Sequence, residues 1–117
     1  MEIRWLKKGK NSRLCSNDVR VSLIGKGKCV TISFFNGSYE RITEGDNIQL
    51  GICENRIYFR GSDKICGNKV QYYAKTVRVN FSNDELIDFV KKHKAEYELE
   101  YDVENNLFYI EDKESNV

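Results

Sequence analysis

Apolar and polar residues alternate with a period of two over most of the first eighty positions, the spacing of half-buried β-strands. Val19, Val21 and Leu23 alternate with Arg20 and Ser22, and Gly25-Lys26-Gly27-Lys28 turns the chain into Val30, Ile32 and Phe34. Asn36-Gly37 tolerates positive φ, so it predicts a tight hairpin turn with a returning segment over 39–42. Glu44-Gly45-Asp46 marks a further turn, after which Ile48, Leu50 and Ile52 resume the alternation. Glu54-Asn55 then leads into Arg56-Ile57-Tyr58-Phe59, a second hairpin with Ile57 and Phe59 inward. Positions 61–68 read as a loop, and 70–79 return to strand-like composition.

The period changes near Ser82. Leu86, Phe89, Val90 and His93 share one face at helical spacing. Ser82 with Glu85 forms a capping-box pattern, and Phe81 and Leu86 stand at hydrophobic-staple positions. Asp84, Glu85 and Asp88 come early in this segment and Lys91, Lys92 and Lys94 late, as the helix dipole prefers. Beyond it Tyr97, Leu99, Tyr101 and Val103 alternate with Glu96, Glu98, Glu100, Asp102 and Glu104, which predicts a strand with a wholly acidic outer face. Asn105-Asn106 is a two-residue turn into Leu107-Phe108-Tyr109-Ile110. The expected fold class is α+β: an antiparallel β meander or small barrel, one α-helix and a C-terminal β-hairpin. The expected organisation is a basic N-terminal arm over 1–18, a single domain over 19–111 and a tail over 112–117.

Composition agrees with a folded body, because a chain of 117 residues fits one domain and 40% hydrophobic with 12% aromatic content is enough for a core. Neither a signal-peptide apolar run nor a membrane-span stretch is visible, so the expected location is cytoplasmic and no membrane partner is expected. Cys15, Cys29, Cys53 and Cys66 form no C-x-x-C pair and have no histidine near them, so they read as separate thiols packed as small hydrophobes. Neither a metal nor a cofactor is expected. With one histidine, acid/base and metal schemes lack parts, and His93 on the apolar side of the helix reads as structural. The Gly25-Lys26-Gly27-Lys28 turn lacks the G-x-x-x-x-G-K-[ST] spacing and is followed by a strand, which excludes a phosphate-binding loop of that type.

The formal net charge is only +1, yet its distribution is lopsided. Positions 1–81 hold 15 basic and 7 acidic residues, and positions 82–117 hold 4 basic and 11 acidic. A basic region beside an acidic one points to a polyanion-binding face. The arm offers Arg4, Lys7, Lys8, Lys10 and Arg13 to phosphates and Trp5 to a base, and Arg20, Lys26, Lys28, Arg56 and Arg60 extend the cationic set onto strands and turns. Phe34, Phe35, Tyr58, Phe59, Tyr72 and Tyr73 read chiefly as core or dimer contacts. The carboxylates Asp84, Glu85, Asp88, Glu96, Glu98, Glu100 and Asp102 read as a solvated face or as a docking strip for a basic partner.

Two resemblances bear on function. The segment from Val30-Thr31-Ile32 through Ile42-Thr43-Glu44-Gly45-Asp46-Asn47-Ile48-Gln49-Leu50 to Arg56-Ile57-Tyr58-Phe59 resembles the swapped-hairpin DNA-binding domain of the AbrB and MazE antitoxin type. The order of strands over 19–35 and of Val79-Asn80-Phe81-Ser82 leading into the helix is similar to the Whirly and positive-coactivator single-stranded DNA binders. Both resemblances imply DNA as the ligand. The expectation is a non-enzymatic nucleic-acid-binding homodimer, since pairing protects exposed sheet edges. The alternative is an inhibitor or counter-defence protein that occupies a host protein's basic site with its acidic helix and hairpin, or a small nucleotide-ligand sponge. Abundant Lys, Asn and Ile point to an AT-rich genome, as in a phage or mobile element.

Overall fold

The computed structural model describes Glu2 and residues 17–114, and within them two five-stranded antiparallel sheets enclose one core. The first sheet has the order β6 (Gln71–Tyr72), β7 (Thr76–Phe81), β2 (Cys29–Phe35), β1 (Val19–Ile24), β8 (Glu96–Tyr97). The second has the order β5 (Asn68–Lys69), β3 (Asn47–Cys53), β4 (Arg56–Gly61), β10 (Leu107–Glu111), β9 (Glu100–Asp102). Two helices accompany them, α1 (Ser38–Ile42) and α2 (Asp84–Lys92). No described helix is long and apolar enough to cross a membrane.

The alternation seen in the sequence sets the layers. Register aligns Val19, Val21 and Leu23 of β1 with Phe34, Ile32 and Val30 of β2, and these with Val77, Val79 and Phe81 of β7. Partners across a ladder point to one face, so this set forms the inner surface of the first sheet. Ile48 and Leu50, Ile57 and Phe59, and Ile110 supply the second sheet's inner surface. The two meet where the Phe34 ring stands edge-on to Phe59 and Tyr39, at centroid distances of 5.4 and 5.5 Å. Each such fully buried aliphatic or aromatic side chain contributes roughly 1.5–3 kcal/mol relative to exposure.

A small barrel is not what forms. Instead one chain segment borders both sheets at each side of the molecule: β5 runs on into β6 through Val70, and β8 runs on into β9 through Glu98 and Leu99. At those crossings the ladder is interrupted, and the amides find other acceptors. Val70 donates to the Asp46 carbonyl at 2.9 Å, and Leu99 donates to the Asp18 carboxylate at 3.0 Å. The acidic strand expected across 96–104 is therefore two short strands in different sheets.

Four local expectations are also corrected. Asn36 and Gly37 do adopt positive φ, 58° and 73°, but the chain enters α1 rather than a returning strand. Both sides of β2 are already paired, by β1 and β7, so no ladder is open to a third strand. Helix α2 is capped by Asn83, not Ser82: the Asn83 Oδ1 accepts from the Leu86 amide at 3.1 Å. That shift puts Leu86 three residues past the cap, where a capping box requires Glu or Gln, so the Ser82–Glu85 box does not form. The C-terminal hairpin of β9 and β10 is present, although its connection spans 103–106 rather than two residues. Asp112, assigned to the tail, is buried, and its backbone exchanges hydrogen bonds with Asn55.

Asp18 joins more elements than any expectation foresaw. Its amide donates to the Tyr97 carbonyl, and its carbonyl accepts from the Phe35 amide at 2.7 Å and the Ser38 hydroxyl at 2.9 Å. Its carboxylate accepts the Leu99 amide and pairs with Arg41 at 3.1 Å. Leaving a buried amide without an acceptor costs about 1–3 kcal/mol, whereas an exposed ion pair is worth about 0–1. Replacing Asp18 with Ala should therefore lower the unfolding free energy by about 1–3 kcal/mol in urea titrations, and Arg41→Ala by less than about 1 kcal/mol.

Candidate nucleic-acid interface

Among the described residues, the cations read from the sequence fall into two separate groups. Arg4, Trp5, Lys7, Lys8, Lys10 and Arg13 lie outside the described residues. Arg20 projects from the outer face of the first sheet, and Lys26 and Lys28 stand exposed in the β1–β2 connection, where Lys26 itself takes φ 61°. Arg56 and Arg60 are on β4, on the outer face of the second sheet. The whole core separates these two groups.

Arg56 is tied down. Its Nε donates to the Glu111 carboxylate, its Nη1 donates to the Tyr58 hydroxyl at 3.0 Å, and its guanidinium lies 4.4 Å from the Tyr109 ring centroid. The Glu111 hydrogen bond, and after it that of Tyr58, raise the Arg56 pKa above the ordinary guanidinium value despite the opposing desolvation. A guanidinium held this way has little to offer a phosphate. Arg60 donates to the Gln49 side chain at 2.9 Å and is exposed.

The first sheet's outer face is different. Register places Arg20, Ser33, Arg78 and Gln71 in one row from β1 to β6, with Glu96 of β8 beyond Arg20. Ser33 between the two arginines is buried. The neighbouring row holds Phe35 and Thr76, and the Tyr73 amide donates to the Thr76 carbonyl at 2.8 Å. Each arginine lies against a ring: the Arg78 guanidinium is 4.9 Å from the Tyr73 centroid, and that of Arg20 is 5.9 Å from Phe35. Arg20 also donates to Glu96 at 2.7 Å. Arg78 has no carboxylate partner among the described residues. Beside it opens a groove of about 340 Å³ bordered by Asn68, Lys69, Gln71, Arg78 and Asn80.

Sequence reasoning missed Arg78 and read Phe35 and Tyr73 as core or dimer contacts. Of the six aromatics grouped that way, Phe34 and Phe59 are core, Phe35 and Tyr58 are half-buried, and Tyr72 and Tyr73 are exposed. The alternation of Val77, Val79 and Phe81 does point Arg78 outward. What it lacks is the pairing of β7 with β2, which brings Arg78 beside Ser33 and within reach of Arg20's row.

The acidic residues are likewise dispersed. Glu96 pairs with Arg20, Glu100 with Lys113, and Asp102 accepts from the side chain and amide of Asn105 and from the Glu104 amide. Asn105's side chain first, then the turn amides, hold the Asp102 carboxyl below its ordinary value. Glu98 is exposed, as are Asp84, Glu85 and Asp88 on α2. Glu85 and Asp88 border a different groove from Glu96 and Glu98. Cys29, Cys53 and Cys66 are separate thiols, but Cys53 and Cys66 are exposed rather than packed inside. No described cluster of three or more His, Cys, Asp or Glu is arranged to hold a metal ion.

His93 has a partner the sequence did not identify. Its Nδ1 lies 2.9 Å from the Asp112 carboxylate, both side chains are buried, and the ring lies tilted against Phe89 at 4.2 Å between centroids. No known protein-family model matches the chain, and no curated protein or solved structure is significantly similar to it. Burial alone pushes the Asp112 carboxyl up, but hydrogen bonds from His93 and from the Glu114 and Lys94 amides outweigh it and hold the pKa down. A depressed folded value stabilises the fold above the unfolded pKa of about 4 and is lost as pH falls through the folded value. The stability gap between the native chain and Asp112→Ala should accordingly be full near pH 7 and shrink below about pH 4 in urea titrations.

Proposed function

We propose that this protein binds nucleic acid, without catalysing a reaction on it, through the outer face of the β6-β7-β2-β1-β8 sheet. The observation that carries this reading is Arg78, an exposed cation without a carboxylate partner among the described residues, held against the Tyr73 ring beside a groove that also contains Lys69. Phosphates supply the affinity in such a complex, and each one neutralised releases condensed counterions. Lys26 and Lys28 add cations from the same sheet's first connection, with no ion pair among the described residues. The basic stretch that contains Arg4, Lys7, Lys8, Lys10 and Arg13 precedes β1, the strand that carries Arg20, and extends the reading along a phosphate chain.

Arg20 fits the reading in a narrower role, because Glu96 already neutralises part of its charge. Arg56, committed to Glu111, falls outside the proposed face. Arg60 also faces away from it.

Anisotropy titrations of labelled oligonucleotides across a salt series test the proposal. Affinity should fall linearly in log–log form, and Arg78→Ala should reduce the slope by roughly 0.7–0.9 if the side chain meets one phosphate. Joint replacement of Lys7, Lys8, Lys10 and Arg13 should reduce it by about that amount for every phosphate those side chains neutralise. Arg56→Ala should leave the slope unchanged. Absence of binding to any oligonucleotide at low salt would overturn the reading.

A further inference from the structure

We infer that this face takes single-stranded nucleic acid, with bases stacked on the rings of Tyr73 and Phe35 and the sugar-phosphate chain following the Arg78–Lys69 groove. The inference rests on the nucleic-acid reading above and deepens it. A duplex hides its base faces within its own stack and presents phosphates to a flat surface, so it would use the cations and leave the rings idle. A single strand can use both.

The geometry favours that second case. Tyr73 is 52% exposed, although an aromatic side chain is among the most favourable to bury. The Arg78 guanidinium meets its ring, and a hydrogen bond of 3.0 Å from its hydroxyl to Gln71 fixes its far end. Phe35 is half-buried on the outer face, in register with Thr76, whose carbonyl accepts the Tyr73 amide. Phe35 and Tyr73 thus flank β7, with their backbones two strand spacings or about 10 Å apart. Buried Ser33 raises nothing between the two arginines that would block a base from lying on the sheet.

The surrounding polar groups suit a strand read by stacking. Thr31 and Asn80 occupy the next row, with the Thr31 hydroxyl 2.7 Å from the Asn80 side-chain oxygen. Neutral groups of this kind accept or donate to sugars and base edges without demanding one base. Glu96, at the β8 end of the arginine row, repels phosphate and confines the backbone to the Arg78 side.

The test uses the full chain, a labelled oligo-dT, its duplex with oligo-dA and an abasic strand of equal length, with thermal melts confirming that each variant is folded. Tyr73→Ala alters an exposed side chain, and Phe35→Leu keeps apolar bulk while removing the ring. The single strand should bind at least about tenfold more tightly than the duplex or the abasic strand. Each aromatic variant should lose roughly 5- to 150-fold in affinity for oligo-dT with its salt slope unchanged, the range expected for one stacked base. Arg78→Ala should lower the slope instead. Equal affinity for duplex and single strand, or folded aromatic variants with native affinity, would overturn the stacking inference while leaving nucleic-acid binding in place. Failure of the native chain to bind any of the three at low salt would overturn both.

Discussion

The fold depends on what happens to a backbone amide when a strand leaves one sheet for another. Between β8 and β9 the chain exits the first sheet beside β1 and enters the second beside β10, and the Leu99 amide in transit has no ladder partner. The Asp18 carboxylate accepts it, while the Asp18 backbone bonds Tyr97 and Phe35. One residue thus fixes the crossing, the start of β1 and the end of β2. On the opposite side the Asp46 carbonyl accepts the amide of Val70 where β5 becomes β6. Peptide groups buried without a partner are costly, so these two acceptors decide where the sheets can separate and keep the layers in register.

Much of this architecture was legible because local chemistry governs it. Period-two alternation identified β1, β2, β3 and β4, and helical spacing identified α2 to within two residues. Glu54-Asn55 and Asn105-Asn106 marked real turns. The failures have a common cause, which is that pairing is a property of distant segments. Nothing near Asn36-Gly37 reveals that β2 is already flanked on both sides, so a hairpin was expected where α1 forms. Nothing in the acidic alternation of 96–104 reveals that β1 pairs with its first residues and β10 with its last. His93 could be placed on an apolar face but not matched to Asp112, nineteen residues away on a different element.

The candidate face was legible only in part for the same reason. The charge asymmetry along the chain is real, yet folding consumes some of it internally. Arg20 meets Glu96 and Arg56 meets Glu111, each an early cation against a late carboxylate. What survives on the surface is therefore a subset that charge counting does not select. Arg78 belongs to it because its register neighbours, Ser33 and Gln71, carry no charge. Tyr73 belongs with it because the bend between β6 and β7 turns its ring to the outer side, where Arg78 lies against it.

The sheet-crossing segments also govern the order in which the native state can assemble. Asp18 and Leu99 are 81 positions apart, and β10 pairs with β4 across the whole of the intervening β5–β9 and α2. Pairings of such sequence separation cost loop-closure entropy before they return stabilisation, which slows folding. During synthesis the β1–β2 and β3–β4 hairpins can form early as local units. Neither sheet acquires its last strand, nor the core its lining by Tyr97 and Ile110, until the acidic C-terminal third has emerged. That third, whatever it does on the surface, is thus the latch for which the rest of the fold must wait.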